Sequence, residues 1–266
     1  MNANAQLLER FQREQKSLAG RAAPGLAALR ARGAADLARL GLPAAKDELW
    51  RWTDLKPLHA LFAAPAGDAI AESPVPENEP LLAIAPSRLV FVDGVFEARL
   101  STLAALPSGV TAGLLSDPSA PEAILARLDD LAGEEKNVFA ALNTAFLSGG
   151  AWITARAGAQ VEQPVHVLFL TCSGGRRLYV HPRLLVVAEP GASLTVIESH
   201  AGIGDAYFTN PVTEIDVQEN ARLTHYRLAV ESPAGRHIAA QRARLGRGAH
   251  FTTRSFAFGA ALVRHD

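Results

Sequence analysis

The chain of 266 residues carries 26 Lys and Arg against 27 Asp and Glu, and this balance excludes a nucleic-acid-binding protein that depends on a basic surplus. A hydrophobic share of 48% and a charged share of 20% are typical of a soluble globular protein. The single cysteine, Cys172, excludes an intramolecular disulfide and fits a reducing compartment, which we expect to be the cytoplasm.

Residues 1–62 are predicted to form an α-helical region. Apolar residues recur there at three- and four-residue spacing, at Leu7, Leu8 and Phe11 and again at Leu26 and Leu29. Gly41 is expected to end a helix at Leu40. The first fifteen residues lack the apolar stretch of a signal peptide, and no apolar run approaches the roughly 20 residues that cross a bilayer. We therefore expect neither export nor a membrane partner.

The segment 46–55, KDELWRWTDL, carries two of the three tryptophans. Trp50 and Trp52 could stack on a ligand as a pair. Because aromatic side chains contribute most of their energy by burial, we interpret both as anchors of the helical region against the rest of the chain.

Residues 63–86 are rich in proline and small residues, which predicts an extended linker. Residues 87–148 follow as a mixed α/β segment. In it, residues 88–96 indicate two short strands around an Asp93-Gly94 turn. Residues 120–132 and 137–147 return to helical spacing.

From residue 149 to residue 266 the sequence repeats. A Gly or Asn followed by Ala occurs at four positions, and we call each of these pairs a corner. The corners are separated by 33, 29 and 28 residues and lie at Gly158-Ala159, Gly191-Ala192, Asn220-Ala221 and Gly248-Ala249. Equivalent positions on both sides of each corner carry similar residues, including the apolar Val161, Leu194, Leu223 and Phe251 and the polar Thr195, Thr224 and Thr252.

The repeat predicts a parallel β-solenoid. Period-two alternation around each corner indicates two strands with one buried face each, and Gly or Asn tolerates the positive φ that a sharp corner needs. A repeat of nearly thirty residues indicates one coil stacked on the next. The extra residues of the first interval are expected to form a loop at 172–177. A β-sandwich with coincidental Gly-Ala turns is the alternative, and four aligned copies favour the solenoid.

Motifs for catalysis, metal binding or phosphate binding are absent from the sequence. Cys172 stands alone and is interpreted as a strand residue, since a cluster held by one chain usually needs several thiolates. The histidines show no ligand spacing. We therefore expect no catalytic residues, no metal ligands and no cofactor bound by this chain; residues that would contact a cofactor remain unknown.

Two aligned sets lie further along each repeat. Five residues after three of the corners stand Val196, His225 and Thr253, and seven residues after them stand Glu198, Arg227 and Ser255. If alternation continues, Glu198 and Arg227 face the interior on adjacent coils and should pair, because either charge alone is costly to bury. If the strand ends earlier, both lie at a solvated edge.

These residues also carry a family resemblance. Residues 43–55, PAAKDELWRWTDL, resemble a signature near the start of SufD proteins, in the SufB/SufD family of the SUF system for iron–sulfur cluster assembly. Residues 137–145 (NVFAALNTA), His181-Pro182-Arg183, Phe208-Thr209-Asn210 and Thr213-Glu214-Ile215 are similar to segments of that family's core domain. The short N-terminal region favours the SufD branch over the longer SufB branch.

The resemblance implies a right-handed parallel β-helix core and a scaffold role beside a SufB-like paralogue and a SufC-like ATPase. A nascent cluster would then be handled transiently by the complex. Family members continue beyond the equivalent of Asp266 with more coils, a Cys- and His-bearing segment and C-terminal helices, so we expect this chain to be a fragment or truncated form. No cluster-associated or ATPase-binding residue is carried over.

Two other functions stay open. A carbohydrate-active β-helix enzyme is one, although it would need a charged cluster on an outer face and usually a secretory signal. A structural adaptor that has lost its SUF role through truncation is the other. The roles of Cys172, His225, Glu198 and Arg227 are not assigned by the sequence.

Overall fold

A computed structural model describes residues 9, 26–43, 47–58, 75, 79–128, 130–131, 135–172, 178–204 and 206–266. Its helices are α1 (Leu26–Leu40), α2 (Glu122–Leu125) and α3 (Val138–Ala145), with 3-10 turns at Glu48–Trp50, Pro80–Ala83, Ala98–Leu100 and Leu103–Ala105. The strands β1 to β14 are, in order, Ser87–Val92, Val95–Phe96, Val110–Leu114, Ala151–Ala155, Val165–Cys172, Leu178–Val180, Arg183–Ala188, Ser193–Ile203, Tyr207–Thr209, Val212–Val217, Arg222–Glu231, Arg236–Leu245, His250–Gly259 and Leu262–His265. As predicted, the fold is mainly β, with a solenoid of about 4 turns in the C-terminal part and helices near the N-terminus.

Two sheets form the walls of the solenoid. The first sheet has the order β13-β11-β8-β5-β1-β2, and its pairs are parallel except for the β1–β2 hairpin. The second sheet has the order β3-β4-β7-β10-β12-β9-β6, with β14 beside β12. The long strand β12 pairs with β10 through residues 240–245 and with β14 through residues 236–239. The second sheet therefore continues from one side of the coil to the next along β12.

The four predicted corners are confirmed. Gly158, Gly191, Asn220 and Gly248 have φ values of 71°, 70°, 58° and 69°. Each is followed by an alanine whose carbonyl, where another coil follows, accepts a hydrogen bond from that coil: Ser193 N to Ala159 O at 2.7 Å, Arg222 N to Ala192 O at 2.7 Å and His250 N to Ala221 O at 2.9 Å. The left-handed backbone at these positions explains the Gly or Asn in every repeat.

The predicted interior columns are also confirmed. Leu194, Leu223 and Phe251 are in register on neighbouring parallel strands, and so are Ile153, Val186, Ile215 and Ala243 on the opposite wall. Apart from Ala243, which is exposed, their side chains belong to one apolar core inside the coils, in which Ile153, Val186 and Ile215 are fully buried. Thr195 and Thr224 alternate with these residues and are half-buried on the outer face, where Thr252 is exposed.

The extra residues between the first two corners do not all lie in the predicted loop. Val165 pairs with Val196, yet it lies seven residues after its corner glycine, whereas Val196 lies five after its own. Part of the insertion therefore lies at residues 161–164, where Pro164 interrupts the strand before β5. The sequence predicted the whole loop at 172–177; Cys172 is the last residue of β5, and residues 173–177 lie outside the described residues.

The helical region packs on the outside of the solenoid. Helices α1 and α3 and the 3-10 turn with Trp50 share an apolar cluster with Phe208 and Ile238 on the second sheet. Helix α1 ends at Leu40 as predicted, because Gly41 has a φ of 67° and its N–H donates to Leu37 O at 3.0 Å. Leu7, Leu8 and Phe11 lie outside the described residues.

The two tryptophans have different roles, so the prediction that both are anchors is wrong for one of them. Trp50 is buried, and its ring lies 5.0 Å from that of Phe139 with the guanidinium of Arg264 3.8 Å from its centroid. Trp52 is 86% exposed and carries Arg51 over its ring at 4.5 Å. Because the two residues are two apart on a tight turn, they point to opposite sides.

Four local predictions concern the residues before the solenoid. The hairpin β1–β2 turns at Asp93-Gly94 with φ values of 51° and 81°, as predicted. Helix α3 covers most of the predicted residues 137–147, with Asn137 capping it. The predicted helix over 120–132 is wrong in extent, since α2 has four residues. Of the predicted linker 63–86, the described stretch Pro80–Ala83 forms a 3-10 turn and is therefore not extended.

Candidate functional site: two buried polar networks

The predicted charge pair lies inside the solenoid. Glu198 on β8 and Arg227 on β11 are in register, at most 1% exposed, with Arg227 Nη2 3.5 Å from Glu198 Oε2. The prediction of an interior pair is confirmed, and the alternative of a solvated edge is wrong. Alternation continues because the strands are ten or more residues long and do not end before these positions.

Glu198 is the centre of an interior polar cluster. Thr213 Oγ1 donates to both of its carboxylate oxygens at 2.8 and 2.9 Å, and the Nε2 atoms of His200 and His225 lie 2.7 and 2.9 Å from them. Burial alone would raise the pKa of Glu198, but the charge of Arg227 and the histidine hydrogen bonds outweigh it and hold the pKa well below its ordinary value. Glu198 is therefore a buried carboxylate that stays ionised.

A second carboxylate, Glu231, lies in the same interior. His237 Nδ1 is 2.7 Å from its Oε1, and Tyr207 OH donates to its Oε2 at 2.6 Å. Burial works to raise the pKa of Glu231, but the hydrogen bonds from His237 and Tyr207 lower it overall. The pKa of Tyr207 rises, first through burial and then through the adjacent negative charge.

These carboxylates fix the histidine tautomers. An ionised carboxylate only accepts hydrogen bonds, so His200 donates through Nε2 and His237 through Nδ1. The opposite ring nitrogens, His200 Nδ1 and His237 Nε2, have no hydrogen-bond partner among the described residues. Burial lowers the pKa of His237 and brings that of His265 to about 4, so both rings are neutral at pH 7.

The three rings of His200, His237 and His265 form a row. Ring centroids are 5.0 Å apart between His200 and His237 and 5.4 Å apart between His237 and His265. Within the described residues, no three His, Cys, Asp or Glu side chains are arranged to hold a metal ion. The cluster thus combines the ionised Glu198 with the buried rings of His200 and His237 and the half-buried ring of His265.

A second network joins helix α3 to the outside of the solenoid. Arg183 donates to Glu214 Oε2 through Nε at 3.0 Å and Nη2 at 2.7 Å, and both side chains are fully buried. Through Nη1, Arg183 also donates to Asn143 Oδ1 at 3.0 Å. The amide of Asn143 in turn donates to the carbonyls of Pro182 and Asn210 at 2.8 and 2.7 Å.

This second network was not found from the sequence. Its members were noted only as parts of similar segments: Asn143 in 137–145, Arg183 after His181-Pro182, Asn210 after Phe208-Thr209, and Glu214. A signal was available, because Arg183 begins an otherwise apolar strand and a buried charge needs a partner, which the outward-facing Glu214 of the next coil supplies. The structure brings together the side chains of Asn143 on α3, Arg183 on β7 and Glu214 on β10, with the backbone carbonyl of Asn210.

Cys172 is the last residue of β5, as its interpretation as a strand residue predicted. It is buried, and its backbone N–H donates to Asp93 Oδ1 at 2.7 Å. This contact ties the end of β5 to the β1–β2 turn. His225 belongs to the interior cluster, where Gln241 Nε2 lies 3.1 Å from its Nδ1.

Comparisons with known proteins cover nearly the whole chain. Residues 1–167 match the model of the SufBD protein N-terminal region, and residues 170–266 match that of the SUF system FeS cluster assembly SufBD core domain. The chain is 35% identical over 247 residues to the iron-sulfur cluster assembly SufBD family protein slr0076 of Synechocystis, covering 88% of this chain and 54% of the relative. It is 32% identical over 235 residues to the iron-sulfur cluster assembly protein SufD of Escherichia coli, covering 86% and 52%.

A plant relative extends the comparison. Protein ABCI7, chloroplastic, of Arabidopsis thaliana is 28% identical over 233 residues, covering 84% of this chain and 48% of the relative. The chain thus spans about half the length of the curated relatives it matches. The boundary between the two matched models, at residues 167–170, falls inside strand β5 of the solenoid.

Proposed function

Because the chain belongs to the SufBD family of SUF-system proteins, we propose that it is a non-catalytic scaffold subunit in iron–sulfur cluster assembly. In this proposal it works in the cytoplasm beside a SufB-like paralogue and a SufC-like ATPase. The cluster is cargo of the complex, with no cofactor resident on this chain. Among the described residues, no helix has the length and apolar character needed to span a membrane.

One observation carries the proposal: the two family models match the chain in order, and residues from their similar segments meet in the network around Arg183. Residues scattered over four similar segments converge on one buried set of hydrogen bonds between α3 and the solenoid. A network of this kind fixes the helical region against the core. A subunit that binds partner proteins needs a rigid structure with a fixed outer surface.

The interior cluster supports a structural role over catalysis. Glu198, His200, His225 and Arg227 are at most 1% exposed, so they lack the access that a substrate requires. A catalytic acid or base must also come within hydrogen-bond reach of its substrate. We propose that these charges bind adjacent coils to one another.

Affinity capture tests the proposed partners. The tagged chain is co-expressed with the SufB-like and SufC-like proteins of the same genome, and with each one singly as a control. We expect retention of the SufB-like protein, and of the SufC-like protein at least in the three-component mixture. Capture of neither protein by a chain that is folded by circular dichroism would overturn the proposal and favour an adaptor without a SUF role.

Two further measurements on the same preparation separate the alternatives. Release of reducing sugars from a panel of polysaccharides would favour the carbohydrate-active enzyme. Elemental analysis is expected to find iron and zinc well below one atom per chain after purification without added metal. A stoichiometric metal would contradict the absence of a resident cofactor while leaving the partnership testable.

A further inference from the structure

The outer face of the first sheet carries an apolar stripe across five strands, interrupted by Ser199. It has two columns in exact register, separated by one inward-facing residue on each strand. We define the outer stripe as Val90 and Val92 on β1, Leu168 and Leu170 on β5, Ser199 and Ala201 on β8, Leu228 and Val230 on β11, and Phe256 and Phe258 on β13.

The chain itself covers the first half of the outer stripe. Val75, Leu81, Leu82 and Leu100 pack against the side chains on β1 and β5 and against Ala201. As a result, Val90 and Leu168 are fully buried. The sequence around these covering residues is acidic as well as apolar: Glu79 directly precedes the 3-10 turn, and Glu77 stands two residues earlier in the sequence.

The second half of the outer stripe is open. Val230, Phe256 and Phe258 are 38%, 44% and 57% exposed, and Ile203 at the end of β8 is 40% exposed beside them. Large apolar side chains grouped in this way on one face mark an interaction surface more often than a plain solvated sheet. Aromatic residues are also the commonest anchors of protein interfaces.

The charge on this face indicates what covers it. The outward positions of β11 and β13 before the apolar pair are Arg222, Thr224 and Tyr226 on one strand and His250, Thr252 and Arg254 on the next, without a carboxylate. Arg254 lies over the Tyr226 ring at 5.7 Å and is exposed, as is Arg222. Two copies meeting through this face would bring these arginines together, which like charges oppose.

We propose that the open half of the outer stripe binds an acidic and apolar segment of a partner protein. Its apolar side chains lie on Leu228, Val230, Phe256 and Phe258, and its carboxylates pair with Arg222 and Arg254. The apolar part of this binding mode repeats, on later coils, the contacts that Val75, Leu81 and Leu82 make on the first ones. This inference stands independently of the proposed SUF role, since it depends only on the surface of the solenoid.

The probe is a fluorescein-labelled peptide with the sequence of residues 75–84, VPENEPLLAI, in a fluorescence anisotropy titration of the full chain. A matched peptide with both glutamates replaced by glutamine isolates the charge contribution. We expect the acidic peptide to bind, and to bind more tightly than the glutamine peptide at low ionic strength. Added salt should remove most of the difference, since exposed charges are screened.

Variants of the face locate the binding. Phe256→Ser with Phe258→Ser is expected to weaken binding about tenfold or more, because burying a large apolar side chain contributes about 1.5–3 kcal/mol. Thr252→Ser, on the same face of the same strand, should leave the affinity unchanged. Circular dichroism checks that each variant folds. If the double serine variant does not fold, the variant Arg222→Glu with Arg254→Glu serves as the test by itself. It is expected to bind the glutamine peptide more tightly than the acidic peptide, the reverse of the wild-type preference.

Three results would overturn the proposal. One is the absence of saturable binding by either peptide. Another is equal binding by wild type and by the folded face variants. The third is a wild-type dimer in light scattering that the phenylalanine substitutions convert to a monomer while the peptide fails to bind, which would assign the face to a second copy of the chain.

Discussion

Replacing Glu198 by glutamine is expected to destabilise the solenoid strongly. Glutamine has nearly the same shape, so the change removes the negative charge with little loss of packing. Arg227 is then a buried cation without its counter-charge, and the Nε2 donors of His200 and His225 face an amide instead of a carboxylate. Removing one member of a buried ion pair typically costs about 3–5 kcal/mol, and we expect the free energy of unfolding to fall by that amount.

Urea denaturation followed by circular dichroism measures the change. The matched control is Glu219→Gln, since Glu219 pairs with Arg247 on the surface, where their side chains are 46% and 88% exposed. An exposed pair contributes roughly 0–1 kcal/mol, so the control should remain close to wild type. Arg227→Met combined with Glu198→Gln should cost less than the two single changes together, because the double variant leaves no unpaired charge.

The same variant has a distinct pH signature. Because the folded pKa of Glu198 is lowered, its contribution is complete above the unfolded value near 4.3 and is lost as pH falls toward the lower folded value. Glu198→Gln should therefore flatten the acid limb of the stability curve below about pH 4. A variant within about 1 kcal/mol of wild type, with an unchanged acid limb, would refute the view that this pair binds the coils together.

Two further predictions concern the corners and the outer face. Ala221 is fully buried in the corner column, so Ala221→Leu should cost about 1–3 kcal/mol by overpacking, whereas Thr224→Val on the outside should be nearly neutral in a thermal melt. Equal melting temperatures for Ala221→Leu and Thr224→Val would contradict the close packing of the alanine column at the corners. Burial, and secondly Arg88, lowers the pKa of His166 to about 4 in the fold. Since the unfolded value is near 6.5, stability should fall by about 3 kcal/mol between pH 6.5 and 4, and His166→Asn should show a shallower slope in the same titration.

The repeat could be derived from the sequence because its causes are local. A corner needs a residue that tolerates positive φ, and a stacked coil needs the same side-chain size at the same height, so Asn220 and the glycines mark every turn. The alternation that placed Glu198 opposite Arg227 depends on the same rule, because strand residues two apart share a face. The family could likewise be predicted from the sequence, because its motifs are short runs of neighbouring residues.

Other features depended on which elements meet in space. Trp50 and Trp52 are chemically alike, and only the packing of α1, α3 and Arg264 decides that one is buried and the other exposed. The strand break at Pro164 could not be separated in the sequence from a longer loop near Cys172, because both fit the same interval.

The sequence by itself predicted the solenoid, its corners and the family, because each is encoded by residues at fixed short spacings. It left the interior pairing of Glu198 with Arg227 as one of two alternatives, and the structure decided between them. The tertiary structure alone decided the Arg183–Glu214 network, the row of histidines from three different strands and the half-open outer stripe. These features join residues from separate coils and from α3. Whether a polar side chain finds a hydrogen-bond partner there, or an apolar one is buried, depends on which residues of the neighbouring element face it. That information belongs to the packed chain and not to any single segment of it.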